Sequence, residues 1–175
     1  MTKLYKVLGE NGKPHHGGRG AWSLPNGQPG EWKTVKGKLV PCQNGLHLCR
    51  KKDLLEWLGP VIYLAEHDGE LIDHTDKIVV RKARLISRLE TWNDRTARKF
   101  ACDCAERALK RERKVGREPD ERSWRAVAVA RAFAESKASN EERAAAGAAA
   151  RAAAGAAAGA AAWDAARAAA WDAAR

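Results

Sequence analysis

TWNDRTARKFACDCAERAL, residues 91–109, is where the hydrophobic period of this 175-residue chain changes. Upstream the apolar residues alternate in short runs; from here they fall at 3/4 spacing. Asn93 or Asp94 stands as a cap, and Ala97, Phe100, Ala101, Cys104, Ala105 and Ala108 form the stripe of an amphipathic helix. Gly116 is the expected stop. A second helix is predicted from Pro119-Asp120, burying Ala126, Val129, Ala130 and Phe133. Ser139 and Glu142 have capping-box spacing and open a third.

That third helix runs into four octads over residues 144–175: AAAGAAAR, AAAGAAAG, AAAWDAAR and AAAWDAAR. Alanine is the best helix former and loses no side-chain entropy in a helix, so the run is expected to be helical to Arg175. About 35 residues at ~1.5 Å each give ~50 Å, more than a small domain covers. An eight-residue repeat drifts by about 80° per unit, so Trp163 and Trp171 point in different directions. Trp163 with Arg167, and Trp171 with Arg175, stand at i,i+4, the spacing of a cation–π pair. These four residues are the expected oligomerisation contacts, and a low-complexity helix with no partner is the alternative.

Working back toward the N-terminus, Leu4–Leu8 alternates like a strand and enters a Gly-Glu-Asn-Gly turn. Residues 9–31 are rich in Gly and Pro, a long loop or flap anchored by Trp22. Strand-like runs follow at 32–40, 46–49, 61–65 and 77–86, with a short helix capped by Asp53 and closed by Gly59-Pro60. The expected fold is α+β: a small β-rich unit (1–90), a helical region (91–143) and an Ala-rich helix (144–175).

Lys and Arg outnumber Asp and Glu by 32 to 22, for a net charge of +10. The excess is spread over the first two regions and is densest at Arg107, Lys110, Arg111, Arg113, Lys114 and Arg117. Within that stretch only Glu112 opposes it. An anionic partner, a nucleotide, a nucleic acid or an acidic protein face, suits this balance, as does a merely solvated helix. No run reads as a membrane span or a signal peptide. Four cysteines, at 42, 49, 102 and 104, are too sparse for a disulfide framework and fit a reducing cytoplasm.

Three constellations bear on chemistry. Cys42, His47 and Cys49 are the best metal candidate, with His47 and Cys49 on one face of a strand, but a fourth ligand is not evident and hairpin packing is the preferred reading. Cys102 and Cys104 lie 200° apart on a helix and cannot grip one ion; Cys104 belongs to the apolar stripe and Cys102 points away. His15, His16 and Arg19, in HHGGRG, combine imidazoles, permissive backbone and a guanidinium in one loop, which suits a phosphate contact. The loop lacks P-loop spacing.

HGGRGAWSLP, LVPCQNGLHLC, DLLEWLGP and DKIVVRKARL resemble an uncharacterised module of phage and bacterial genomes. TWNDRTARKFACDCAERAL and AVAVARAFAES resemble the helical proteins of an immunity-protein family. The resemblance implies a role in phage–bacterial conflict, with no catalytic residues to carry over. A fainter similarity, to ADP-ribosyltransferase folds, rests on the order of Leu4-Tyr5-Lys6, Gly45-Leu46-His47-Leu48 and Val61-Ile62-Tyr63-Leu64-Ala65-Glu66. It implies NAD contacts at Tyr5-Lys6 and Tyr63, with Glu66, Glu70 or Glu90 activating the acceptor.

The expected function is a non-catalytic binding or sequestering protein of the immunity or anti-defence type. It would act on an anionic ligand such as a nucleotide, or on a protein of a defence system, and assemble as a homo-oligomer. The expected ligand contacts are His15, His16, Arg19, Lys51, Lys52, Arg107, Lys110, Arg111 and Lys114. No cofactor, metal or catalytic residue is expected, nor any membrane. An NAD-using transferase and a purely structural oligomer are the alternatives.

Overall fold

The structure, a computed structural model, describes residues 3–155. The fold is mixed α+β, as expected: a barrel-like β region followed by helices. The chain divides into two compact units, Met1–Asn93 and Asp94–Arg175.

The first unit holds five strands: β1 (Leu4–Leu8), β2 (Lys33–Thr34), β3 (Leu46–Arg50), β4 (Val61–Asp73) and β5 (Ile78–Arg88). All pairings are antiparallel, in the order β2-β5-β3-β1-β4, and a β4–β5 pairing closes the ring. β1 is therefore central, with Leu4 opposite both Arg50 and Ala65. Side-chain alternation sends Leu4, Leu8, Leu46, Leu48, Val61, Tyr63, Val80 and Leu85 into one core that also takes Trp22. Complete burial of side chains such as Leu48 and Leu85 contributes about 1.5–3 kcal/mol each.

The β4–β5 hairpin runs longer than the expected strands. Its exposed half is laced by Glu66–Arg84, Asp68–Lys82 and Glu70–Arg81 ion pairs, the cross-strand contacts that steady a solvated ribbon. β2, by contrast, shrinks to two residues, because Gly37 at φ 79° turns the chain away. Asp53 does not cap a helix from outside. It sits inside a 3₁₀ segment, Lys51–Trp57, buried and accepting bonds from the Arg50 backbone N–H (3.1 Å) and Nε (2.5 Å). The same guanidinium reaches Asp73 and the carbonyls of His74 and Thr75, tying β3 to the hairpin turn.

The Gly-rich segment is an ordered loop. Trp22 N–H donates to Gly12 O (3.0 Å), closing the loop on itself, and Gly30 N–H donates to Leu85 O (2.8 Å), fixing its far end to β5.

In the second unit, α1 (Asp94–Lys114) ends on Gly116 at φ 81°, with the Arg117 N–H returning to Glu112 O. α2 (Glu121–Ala134) is capped by Asp120. A third helix, α3, covers 140–155 of the described residues, with Ser139 and Glu142 exchanging the two bonds of a capping box. One expectation is reversed: Cys102 is buried and Cys104 exposed. The alanine stripe has too little bulk to choose the packed face. Arg131 of α2 chooses it, bonding Asp103 and Glu106 at 2.8 Å each, so α1 turns Cys102 inward. The expected contacts at Trp163, Arg167, Trp171 and Arg175 lie outside the described residues. Among the described residues no helix is long and apolar enough to cross a membrane.

Candidate anion site in the barrel unit

A cleft of about 210 Å³ opens on the barrel, lined by Lys6, Val7, Pro14, His15, His16, Gly17, Gly18, Cys42, His47, Cys49, Trp57 and Lys77. Five sequence segments converge there. The loop brings the two histidines and the two glycines, β1 brings Lys6, the β3 hairpin brings Cys42, His47 and Cys49, and the 3₁₀ segment and the start of β5 close it with Trp57 and Lys77.

The loop is seated by His16. Its Nε2 lies 2.8 Å from Trp57 O and 3.0 Å from Leu58 O. Two carbonyls can only accept, so Nε2 carries the proton. His15 packs edge-on against His16 (4.7 Å between centroids), and His16 against Trp57 (5.5 Å). Gly59 makes this seating feasible: a Cβ there would stand 2.7 Å from His15 Cδ2 and 2.8 Å from Val7 Cγ1. Gly17 and Gly18 follow at φ 81° and 102°, a backbone that L side chains rarely adopt.

His47 is the reverse case. The Cys42 N–H donates to its Nε2 at 3.2 Å, so the neutral ring holds its proton on Nδ1. Burial, then the charges of Lys6 and Lys77, push its pKa below the usual imidazole range. Burial likewise pushes the Cys49 thiol up to about 11 and the Lys6 amine down to about 8. Lys6 Nζ donates to His47 O (3.0 Å) and stands 5.4 Å from the centre of the Trp22 ring. Lys77 is buried, its Nζ 4.8 Å over the Trp57 ring and 3.6 Å from Asp76. Cations and donors thus meet in one concavity whose lining includes no carboxylate.

Of the expected ligand contacts, His15 and His16 are in this cleft. Arg19, Lys51 and Lys52 are exposed and do not line it. Arg107, Lys110, Arg111 and Lys114 belong to the second unit, where the basic cluster meets more acids than its own stretch supplied. Lys110 pairs with Glu106 (2.6 Å), Arg113 with Glu118 (2.7 Å) and Arg117 with Glu112 (2.5 Å). Cys42, His47 and Cys49 do come together, but among the described residues no group of three or more His, Cys, Asp or Glu could hold a metal ion. Tyr63 is buried in the core, and Glu66 and Glu70 are paired on the β4–β5 ribbon.

Sequence reading passed over Lys77 and Trp57, and met Lys6 only through the transferase similarity, never as an anion contact. A signal for Lys6 was present: it shares the strand parity of Leu4 and Leu8, where a buried face calls for an apolar residue.

No family model matches this chain, and no curated protein or solved structure matches it.

Proposed function

We propose that this chain is a non-catalytic binding protein that sequesters a small phosphorylated or similarly anionic molecule, nucleotides included, in the barrel cleft. The observation that carries the reading is the convergence of Lys6, Lys77 and three histidines on a cleft lined by no carboxylate. Taking a lysine out of water costs free energy unless something compensates. Lys6 has no carboxylate in an ion pair among the described residues, and an anionic ligand is the compensation that the site lacks. The transferase alternative calls for a carboxylate beside the bound ligand, and Glu66 and Glu70 are engaged elsewhere by Arg84 and Arg81. In the conflict role that the family resemblance implies, capture without turnover would remove a signal in the cytoplasm. Assembly through residues 144–175 would multiply the sites per particle.

The test is thermal denaturation of the full chain with inorganic phosphate, pyrophosphate and nucleoside mono- and diphosphates. Mass spectrometry of small molecules released on denaturation would run beside it. A ligand at a hundred times its Kd stabilises by about 2.7 kcal/mol, which is readily seen in Tm. Lys77→Met should abolish the shift. If no phosphate compound moves Tm, and nothing anionic is released, the reading fails.

A further inference from the structure

We propose that the cleft captures its ligand covalently: Lys6 Nζ condenses with the carbonyl carbon of a small aldehyde or ketone whose phosphate or carboxylate rests on Lys77 and the histidines. This inference rests on the anion-binding reading and names the ligand class for it.

The two lysines of the cleft are held differently. Lys77 keeps a carboxylate, Asp76, at 3.6 Å and an aromatic face at 4.8 Å. It is suited to the anionic end of a ligand. Lys6 is only partly buried, lines the cleft, and is held by a backbone carbonyl and the Trp22 ring without an ion pair among the described residues. A desolvated lysine amine loses its proton more readily and becomes a nucleophile toward carbonyls. Burial lowers its pKa to about 8, so more of Lys6 is free base near neutral pH than of an ordinary lysine. The neighbouring thiol does not compete: burial holds Cys49 protonated, its pKa raised to about 11.

The chemistry needs only these parts. The Nζ lone pair attacks the carbonyl carbon, the C–N bond forms, and the carbonyl π pair takes a proton to give a hydroxyl. Nitrogen then loses a proton, the hydroxyl leaves as water with a second proton to give C=NH+, and nitrogen gives up its remaining proton to leave the neutral C=N. The net change is amine plus carbonyl to imine plus water, with no oxidant or reductant. The His47 ring, protonated at Nδ1 in its neutral form, is the proton carrier that the cleft offers. A cleft of about 210 Å³ has the volume of about seven waters, the scale of a short phosphorylated sugar.

The experiment treats the full chain with glyceraldehyde 3-phosphate and sodium cyanoborohydride at pH 7.4, then maps the reduced adduct by peptide mass spectrometry. One equivalent on Lys6 is expected, slowed at least tenfold by inorganic phosphate and absent in Lys6→Arg and Lys6→Met. Circular dichroism of both variants checks that they fold. Labelling spread over exposed lysines at the same rate in wild type and Lys6→Arg overturns the proposal. A phosphate-induced rise in Tm without labelling at Lys6 overturns the covalent step alone. Labelling at Lys6 that phosphate neither slows nor accompanies with a Tm shift overturns the anion site and leaves the amine chemistry standing.

Discussion

Lys6 is a residue that the fold would be more stable without. Its ammonium is desolvated on a strand face otherwise given to Leu4 and Leu8, and replacing such a charge by an apolar isostere is commonly stabilising. Lys6→Met is expected to raise the stability of the unit by about 1 kcal/mol, roughly 4–8 °C in Tm, while removing the phosphate-induced shift; paired melts with and without phosphate check both. Gly59 gives the complementary case. Gly59→Ala places a methyl against His15 and Val7, displacing the loop from the cleft mouth. Phosphate affinity should fall about tenfold, near 1.4 kcal/mol, measurable by calorimetry. The place of His15 and His16 in the cleft was legible in part, because adjacent imidazoles in a Gly-rich loop stand out from the sequence around them. Lys77 and Trp57 were not, because their meeting depends on the 3₁₀ segment folding back on the start of β5, a contact no local pattern encodes. Lys6 was half legible, a charge at apolar parity that reads equally as a weak strand.

At the scale of elements, the helix starts and stops were read correctly where a side chain makes the cap or a glycine supplies the left-handed stop. Gly116 ends α1, Asp120 caps α2, and Ser139 with Glu142 opens α3. The face of α1 was misread because alanines and cysteines differ too little in bulk to decide it, whereas the Arg131 bridge to Asp103 and Glu106 does. Two other carboxylates make the helical unit acid-sensitive. Hydrogen bonds from Arg122 hold the Asp120 carboxyl down to about 2, and bonds from Lys99 and Lys137 do the same for Glu135. A carboxylate with a depressed native pKa contributes stability that is present above its unfolded value and lost as pH falls through the native one. Helicity at 222 nm should therefore hold from neutral pH to about 4 and decline between about pH 4 and 2. Asp120→Asn, which keeps a cap without the charge, should flatten part of that decline.

For the molecule as a whole, α+β organisation followed from the change of period near residue 92, and the chain divides within a few residues of it. Closure of the β region was not foreseen, since β4–β5 pairing extends over residues that carry Glu, His, Asp and Gly rather than strand formers. All lining residues of the cleft fall within 6–77. A chain ending at Asn93 should thus retain the phosphate-induced Tm shift, while native mass spectrometry should find it monomeric if residues 144–175 drive assembly.

The central place of β1 also bears on how the chain is born. Its five residues are synthesised before both of its neighbours in the ring, β3 and β4, which come from residues 46–73. The ring itself closes only with β5, which ends at Arg88. β1 must therefore wait, unpaired, until those later strands are synthesised. Pairings so distant in sequence are slow to form, and exposed strand edges invite misassembly in the interval. A slowed codon stretch or a chaperone acting on the first ninety residues should matter more to the yield of this protein than anything done to its helices.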